Sequence, residues 1–185
     1  MKTARQRKHT HPFAETFNGT SVSFRMMTPE DETMVLKFAN TLPEEDLIFL
    51  RMDITQPEVV SEWVRNIESG RTITIIAEED GRMVGYASLH SSHLHWTRHI
   101  GEVRMLVNSK MRGLGVGRSM VNQIIKIAAE KKLERVVVQI SSNQPRVRKM
   151  FEDLNFEPQA LLTDWLKDRN NRTHDLIIMS ENIED

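Results

Sequence analysis

The sequence predicts a single mixed α/β domain with helices on both faces of its sheet. Apolar residues recur at helical spacing in four segments and at strand-like spacing in seven, in the order βααβββαβαββ. One predicted strand, Val136–Ile140, is almost continuously apolar, which is typical of a strand that is covered on both faces. A chain of 185 residues is long enough to bury an adequate core as one domain.

The first third of the chain is predicted to hold a tail, a strand and two helices. Residues 1–20 are polar and are expected to form a flexible tail, so the folded domain is assigned to residues 21–185. The first strand is Val22–Met26. Thr28 is placed to cap the first helix, because a proline and two acidic residues follow it directly. Pro57 begins the second helix.

The middle of the chain is predicted to form a hairpin, a strand and a long helix. Strands Thr72–Glu78 and Met83–Leu89 flank an Asp-Gly pair, which tight hairpin turns favour. Strand His99–Val107 then leads through a glycine-rich loop into a helix over Val116–Lys132. The next predicted elements are a strand at Val136–Ile140 and a fourth helix that starts at Asn143 and Pro145. A closing hairpin is predicted at Glu157–Leu166 and Thr173–Met179.

The glycine-rich loop is the strongest functional signal in the chain. It reads Arg112-Gly113-Leu114-Gly115-Val116-Gly117-Arg118. Its glycines let the backbone turn several N–H groups toward one point, and the following helix adds the positive end of its dipole. These features predict a pyrophosphate site, with a glycine-rich turn that binds nothing as the alternative. The spacing excludes a Walker A loop and a dinucleotide fingerprint, which disfavours a nucleotide-binding module.

Composition narrows the function classes. The 25 basic and 26 acidic residues nearly balance, so no nucleic acid or membrane surface is expected as a partner. The chain has no cysteine, which excludes disulfides, a thiol nucleophile and cysteine-bound metal. It has neither an apolar run near the ~18–20 residues of a membrane span nor a signal-peptide core. We therefore expect a soluble cytoplasmic protein.

Together with its flanking strands, the loop resembles the signature Gln/Arg-x-x-Gly-x-Gly/Ala of the GNAT superfamily of acyl-CoA-dependent N-acyltransferases. The segment Glu102–Val107 is similar to the family's fourth strand. A fifth strand follows that ends near Asn143, where the family has its customary asparagine. Met150–Phe156 is similar to the end of the family's fourth helix. The resemblance covers the chain from about Val22 to Met179.

This resemblance implies a mostly antiparallel sheet whose strands 4 and 5 splay apart, and acetyl-CoA as cosubstrate without a metal. Met105, Leu106 and Val107 are then expected to pair with the pantetheine arm, with one backbone N–H facing the thioester oxygen. Asn143 is expected to hydrogen-bond the pantetheine or its neighbouring backbone. The pyrophosphate is expected to be bound by the backbone N–H groups of the glycine-rich loop: Arg112, Gly113, Leu114, Gly115, Val116, Gly117 and Arg118.

Glu102 is the candidate general base, because several GNAT enzymes carry a catalytic glutamate at this place. An amine acceptor is almost entirely protonated at neutral pH, so a base has to remove its proton. The alternative is a surface or ion-paired glutamate. Arg104 supports that alternative, because a residue two positions on lies on the same strand face and favours the ionised carboxylate. A bulge between the two residues would separate them.

Two departures from the family pattern bear on mechanism. Phe151 stands where many relatives have a tyrosine that protonates the departing thiolate, and Asn155 replaces the usual glycine. Because a thiol is far more acidic than an alcohol, solvent can protonate the leaving group. An N-acetyltransferase acting by direct attack in a ternary complex is therefore the main interpretation. A catalytically silent acyl-CoA-binding sensor or interaction domain is the alternative.

The resemblance implies a small-molecule or protein amine as acceptor, and no motif identifies it further. Leu42–Gln56 and the last hairpin are expected to recognise it. The acidic run Glu44–Asp46 either attracts a cationic amine or forms a solvated loop. The sequence does not decide whether the protein forms a homodimer. Four histidines crowd one turn without the spacing of a standard metal site, which favours a polar hairpin tip over a metal centre: His90, His93, His95 and His99.

Overall fold

The structure is a computed structural model that describes residues 12–48, 50–92 and 94–183. The strands are β1 (Phe13–Phe17), β2 (Thr20–Met26), β3 (Thr72–Glu79), β4 (Arg82–Ser91), β5 (Ile100–Val107), β6 (Arg135–Ser141), β7 (Glu157–Lys167) and β8 (Thr173–Asn182). The helices are α1 (Glu32–Asn40), α2 (Glu44–Leu47), α3 (Pro57–Glu68), α4 (Val116–Glu130) and α5 (Pro145–Glu152). Their order confirms the predicted α/β domain.

The eight strands form one mixed sheet in the order β1-β2-β3-β4-β5-β6-β8-β7. Within the described residues β5 and β6 are parallel, and every other neighbouring pair is antiparallel. The β3–β4 turn forms as predicted, since Asp80 and Gly81 have φ values of 48° and 72°. The long helix ends two residues before its predicted end, because Lys132 adopts a left-handed φ of 57°.

Helices cover both faces of the sheet, as expected. On one face, Met120 and Ile124 of α4 and Phe151 of α5 pack into the larger hydrophobic cluster. On the other face, Phe38 of α1 and Trp63 of α3 pack into a second cluster together with α2. Successive residues of the central strands alternate between these two cores. A polar side chain in a central strand therefore faces either the α4 side or the α1–α3 side.

The N-terminal hairpin differs from the predicted tail over residues 1–20. From Phe13 the chain forms β1, which pairs with β2 across an Asn18-Gly19 turn whose φ values are both positive. The Phe13 ring stacks on Phe24 at a centroid distance of 4.9 Å. Phe13 and Phe17 pack on Phe24 from one face of β1, and an Asn-Gly turn is a hairpin signal, so local chemistry explains the extra strand. Residues 1–11 lie outside the described part of the chain.

The sheet opens between β5 and β6. The two strands pair only from Ile100–Arg135 to Val103–Val138. Beyond that point β5 continues to Val107 beside β4, while β6 continues beside β8. This separation confirms the predicted splay of the fourth and fifth family strands. It leaves a V-shaped gap whose narrow end lies just after Val103 and Val138.

No helix in the described ranges is long and apolar enough to cross a membrane.

Candidate active site

The glycine loop, residues 112–118, connects the open end of β5 to α4. Gly113 and Gly115 have φ values of 76° and 106°, a conformation that L side chains rarely adopt. Gly115 is the N-cap of α4, and its carbonyl accepts the Ser119 N–H at 2.9 Å. The N–H groups of the first helical turn precede that bond and point out of the helix end. The loop therefore has the backbone geometry of an anion site.

Gly117 serves packing rather than ligand approach. A Cβ at this position would lie 2.7 Å from the Met105 Cε and 3.5 Å from the Met150 Sδ. The missing side chain thus lets α4 approach β5 and α5 closely. A side chain at Gly117 would therefore point into the core, while the Gly117 N–H stays in the first turn of α4.

The side chain of Arg112 is engaged within the protein. Its Nε donates to the Val107 carbonyl at 3.0 Å, and its Nη2 pairs with Asp46 Oδ1 at 2.5 Å. The Asp46 side chain is only 3% exposed. The acidic run Glu44–Asp46 was expected either to form a solvated loop or to attract a cationic amine. Asp46 does neither, because its buried carboxylate connects α2 to the glycine loop.

Glu102 lies on the α1–α3 side of β5, close to the narrow end of the gap. Its Oε1 accepts from Arg51 Nη1 at 2.5 Å and from Arg104 Nε at 3.2 Å. The β4–β5 register runs without a shift from Gly101 to Val107, so no bulge separates Glu102 from Arg104. The same-face contact expected from the sequence is confirmed. Glu102 is thus an ion-paired carboxylate that remains 23% exposed.

Arg51 joins the two strands that separate. While its Nη1 contacts Glu102 of β5, its Nη2 donates to Gln139 Oε1 of β6 at 2.5 Å. Gln139 is the first residue of β6 beyond the paired segment. Arg51 lies between α2 and α3, in the segment that was expected to recognise the acceptor but contains no recognisable sequence motif. Sequence spacing offers no signal for this contact, because 51 residues separate Arg51 from Glu102.

His90 is the β4 neighbour of Glu102 in the sheet. Burial lowers the pKa of His90 to about 4, and the positive charge of Arg104 adds to this effect. The ring is therefore neutral at physiological pH, with its Nδ1 3.0 Å from Thr72 Oγ1. A cleft of about 250 Å³ lies beside these groups, lined by His90, Ser91, Ser92, Thr97, Ile100 and Glu102.

Comparison with known proteins agrees with this geometry. The family model described as the acetyltransferase (GNAT) family matches residues 37–156, well over half of the chain. The chain belongs to the GNAT family. The matched range includes the split strands, the glycine loop and Glu102.

Solved structures show the same GNAT fold over nearly their whole length. A ribosomal-protein-alanine N-acetyltransferase from Brucella melitensis is 25% identical, with a TM-score of 0.75, covering 86% of this chain and 98% of that chain. A ribosomal-protein-S5-alanine acetyltransferase from Vibrio fischeri is 16% identical, with a TM-score of 0.77, covering 94% and 98%. The protein yncA from Salmonella typhimurium, solved with its cofactor acetyl-CoA, is 18% identical, with a TM-score of 0.77, covering 89% and 95%.

The GNAT asparagine, Asn143, lies just beyond β6 and contacts the last hairpin. Its Nδ2 is 2.7 Å from His174 Nδ1, and His174 Nε2 is 2.9 Å from Asp168 Oδ2. Hydrogen bonds from His174 and from the backbone N–H groups of Arg172 and Asn170 lower the pKa of Asp168. Asn143 was expected to contact the pantetheine or its neighbouring backbone, and its contact with His174 was not predicted.

The position of the usual GNAT tyrosine is filled by a core residue. Phe151 has no exposed surface and packs edge-on against Phe156 at a centroid distance of 4.9 Å. Asn155 adopts a φ of 66°, which explains how asparagine substitutes for the usual glycine. The Phe156 N–H closes the end of α5 by donating to the Phe151 carbonyl at 3.0 Å.

The histidine-rich turn does not assemble a metal site in the part of the chain that the structure describes. No group of three or more potential ligands comes together there. His90 is set inside the sheet, whereas His95 is exposed in the following turn. His93 lies outside the described residues.

Proposed function

We propose that this GNAT protein is an N-acetyltransferase that transfers the acetyl group of acetyl-CoA to a primary amine in a ternary complex. The observation that carries the proposal is the gap between β5 and β6, bordered by the glycine loop at its wide end and by Glu102 near its narrow end. A thioester bound along the gap would be held by backbone groups, and its reactive end would approach a carboxylate.

The residues present fit acetyl-CoA. The N–H groups of Val116, Gly117 and Arg118 occupy the first turn of α4, where a pyrophosphate is favoured by both hydrogen bonds and the helix dipole. The β5 edge from Met105 to Val107 has no strand partner on its β6 side within the described residues. That edge can pair with an amide-containing arm, with Asn143 supplying a side-chain contact. One N–H of this edge would stabilise the oxyanion that forms at the thioester carbonyl.

Glu102 is proposed as the general base. It would take a proton from the protonated acceptor, directly or through one water, and the neutral nitrogen would then attack the thioester carbon. The C–N bond forms, the nitrogen gives its second proton to water, the C–S bond breaks, and the CoA thiolate receives a proton from solvent. Phe151 has no proton to give. The likeness to the ribosomal-protein-alanine N-acetyltransferase from Brucella melitensis favours an amine of a protein as acceptor.

A silent acyl-CoA-binding domain is the second candidate, because two guanidinium groups hold Glu102 and a core phenylalanine replaces the usual acid. Thiol release from acetyl-CoA in the presence of a panel of small amines and peptide N-termini distinguishes the two. An enzyme releases thiol in an amine-dependent manner, whereas a sensor is stabilised by CoA against heat without any release. A protein that CoA does not stabilise would contradict both.

A further inference from the structure

The stretch from the start of α2 to the start of α3 contacts the site at three places. We name its described residues, 44–48 and 50–56, the acceptor strap. Asp46 pairs with Arg112 of the glycine loop, Arg51 pairs with Glu102, and Asp53 Oδ1 pairs with Arg169 of the β7–β8 turn at 3.0 Å. Each attachment therefore reaches a different part of the site: the cofactor loop, the candidate base and the last hairpin.

The middle attachment, Arg51, lies between two side-chain oxygen atoms that belong to the two separating strands. Arg51 has only hydrogen-bond donors, and it places them against Glu102 Oε1 and Gln139 Oε1, on either side of the gap. Both oxygens lie at the narrow end, where β5 and β6 have just separated. Two such acceptors, one of them charged, form a recognition site for a compact N–H cation.

We propose that the Arg51 guanidinium holds the place of the acceptor's ammonium group, and that a cationic alkylamine displaces it. This inference rests on the proposed function, since it makes Glu102 both the binding partner of the ammonium and its base. A primary ammonium has three donors, enough to bond Glu102 and Gln139 together. The acceptor class is therefore a lysine-like alkylammonium, and Arg51 determines how readily it enters.

Charge and exposure support displacement of Arg51 rather than of Arg104. The Arg51 side chain is 43% exposed and is carried by the strap, while the Arg104 side chain is 30% exposed and is fixed on β5 beside Glu102. An ionised carboxylate has about four acceptor positions, so Glu102 can keep Arg104 while it exchanges Arg51 for an ammonium. An exposed ion pair changes an equilibrium constant by at most about fivefold, so a substrate amine can readily displace Arg51 from Glu102.

A thermal-shift experiment tests the site without relying on turnover. The probe is n-propylammonium chloride, compared with sodium chloride at equal ionic strength, applied to the wild type, Arg51→Ala and the control Arg65→Ala, whose side chain is exposed on α3. At about five times its Kd, the probe should raise the Tm of Arg51→Ala by about 2–4 °C. The wild type and Arg65→Ala should show a clearly smaller rise of about 1–2 °C over sodium chloride, because Arg51 weakens binding of the probe. Adding Glu102→Gln to Arg51→Ala should abolish the rise.

Equal responses in Arg51→Ala and the wild type would overturn the proposal. Stabilisation of the wild type by sodium butyrate, lost in Arg51→Ala, would overturn it in favour of Arg51 as a carboxylate-binding residue. The kinetic arm uses Nα-acetyl-lysine amide as acceptor, and Arg51→Ala should lower its KM about two- to fivefold with the affinity for CoA unchanged. If the probe binds to Arg51→Ala but no variant releases thiol with this amine, the ammonium site stands and the proposed transfer to lysine-like amines fails.

Discussion

Arg104 Nε lies 3.2 Å from Glu102 Oε1, and the two residues are carried by the same face of β5. A second guanidinium, from Arg51, reaches the same oxygen at 2.5 Å. The candidate base is therefore surrounded by more positive than negative charge. Displacement of one of these donors by the acceptor, as proposed for Arg51, would link binding of the amine to activation of the base.

Glu102→Gln should lower turnover by about 10²–10⁴-fold at neutral pH while the affinity for CoA is unchanged, because the change removes the base and leaves the glycine loop intact. The deficit should shrink as pH rises and the amine loses its proton in bulk water. Steady-state rates from pH 6 to 9 and CoA-induced thermal shifts measure the two effects. Wild-type rates across this range would assign the proton transfer to water or to another group.

Gly115→Val should abolish stabilisation by CoA. The residue has a φ of 106° and caps α4, so a valine strains the backbone from which the anion-binding N–H groups project. Gly70→Val is the matched control, because Gly70 has a φ of 72° and open space around it at the end of α3. Both variants should lose about 1–2 kcal/mol of stability, but only Gly115→Val should lose the thermal shift with CoA. A normal shift in Gly115→Val would show that the loop does not hold the cofactor.

Phe151→Tyr should destabilise the protein by about 1–3 kcal/mol without changing turnover. The ring is fully buried against Phe156, so an added hydroxyl would be buried in an apolar core. Phe38→Tyr, a buried position in the opposite core, should have a similar cost. Chemical unfolding and pH–rate profiles are measured together. A faster Phe151→Tyr enzyme with a new high-pH limb near a pKa of ~10 would instead place the hydroxyl at the sulfur.

His90 should make the protein less stable in mild acid. The pKa of His90 is about 4 in the folded protein, against about 6.5 in an unfolded chain. The unfolded state therefore takes up its proton first as pH falls. The stability that neutral His90 contributes is complete above about pH 6.5 and is lost between there and about pH 4, with a slope of up to about 1.4 kcal/mol per pH unit.

Urea unfolding of the wild type, His90→Asn and the exposed control His95→Asn at several pH values measures this slope. His90→Asn should show the weaker dependence on pH in this interval, while His95→Asn should follow the wild type. Identical slopes in all three proteins would mean that His90 is readily protonated in the fold.

Local patterns predicted most of the fold, because they depend on neighbouring residues alone. The Asp80-Gly81 turn, the glycine loop and the apolar stripe of α4 are all encoded within a few positions. The first hairpin carried an equally local signal in Asn18-Gly19, but the polar surroundings of that pair favoured a tail. The split between β5 and β6 followed only from the family resemblance.

Contacts between side chains of the site were predictable only where the residues are close in sequence. The Glu102–Arg104 contact followed from the two-residue repeat of a strand. Arg51, by contrast, reaches Glu102 through tertiary structure, and so does the pairing of Asp46 with Arg112. The close approach of Gly117 to Met105 was not predictable either, since periodicity does not show which glycine faces that side chain.

The V-shaped gap also bears on how the two sides of the sheet hold together. Within the sheet, β6, β7 and β8 form one block of strands that joins the other block through four consecutive residue pairs, from Ile100–Arg135 to Val103–Val138. A ligand laid along the open part would bridge the two blocks as an additional strand does. Amide hydrogen exchange should therefore slow on both sides of the gap at once when CoA binds, including in β8, which the ligand need not touch. The cofactor would thus be a reactant and, while bound, would also stabilise the association of the two blocks of strands.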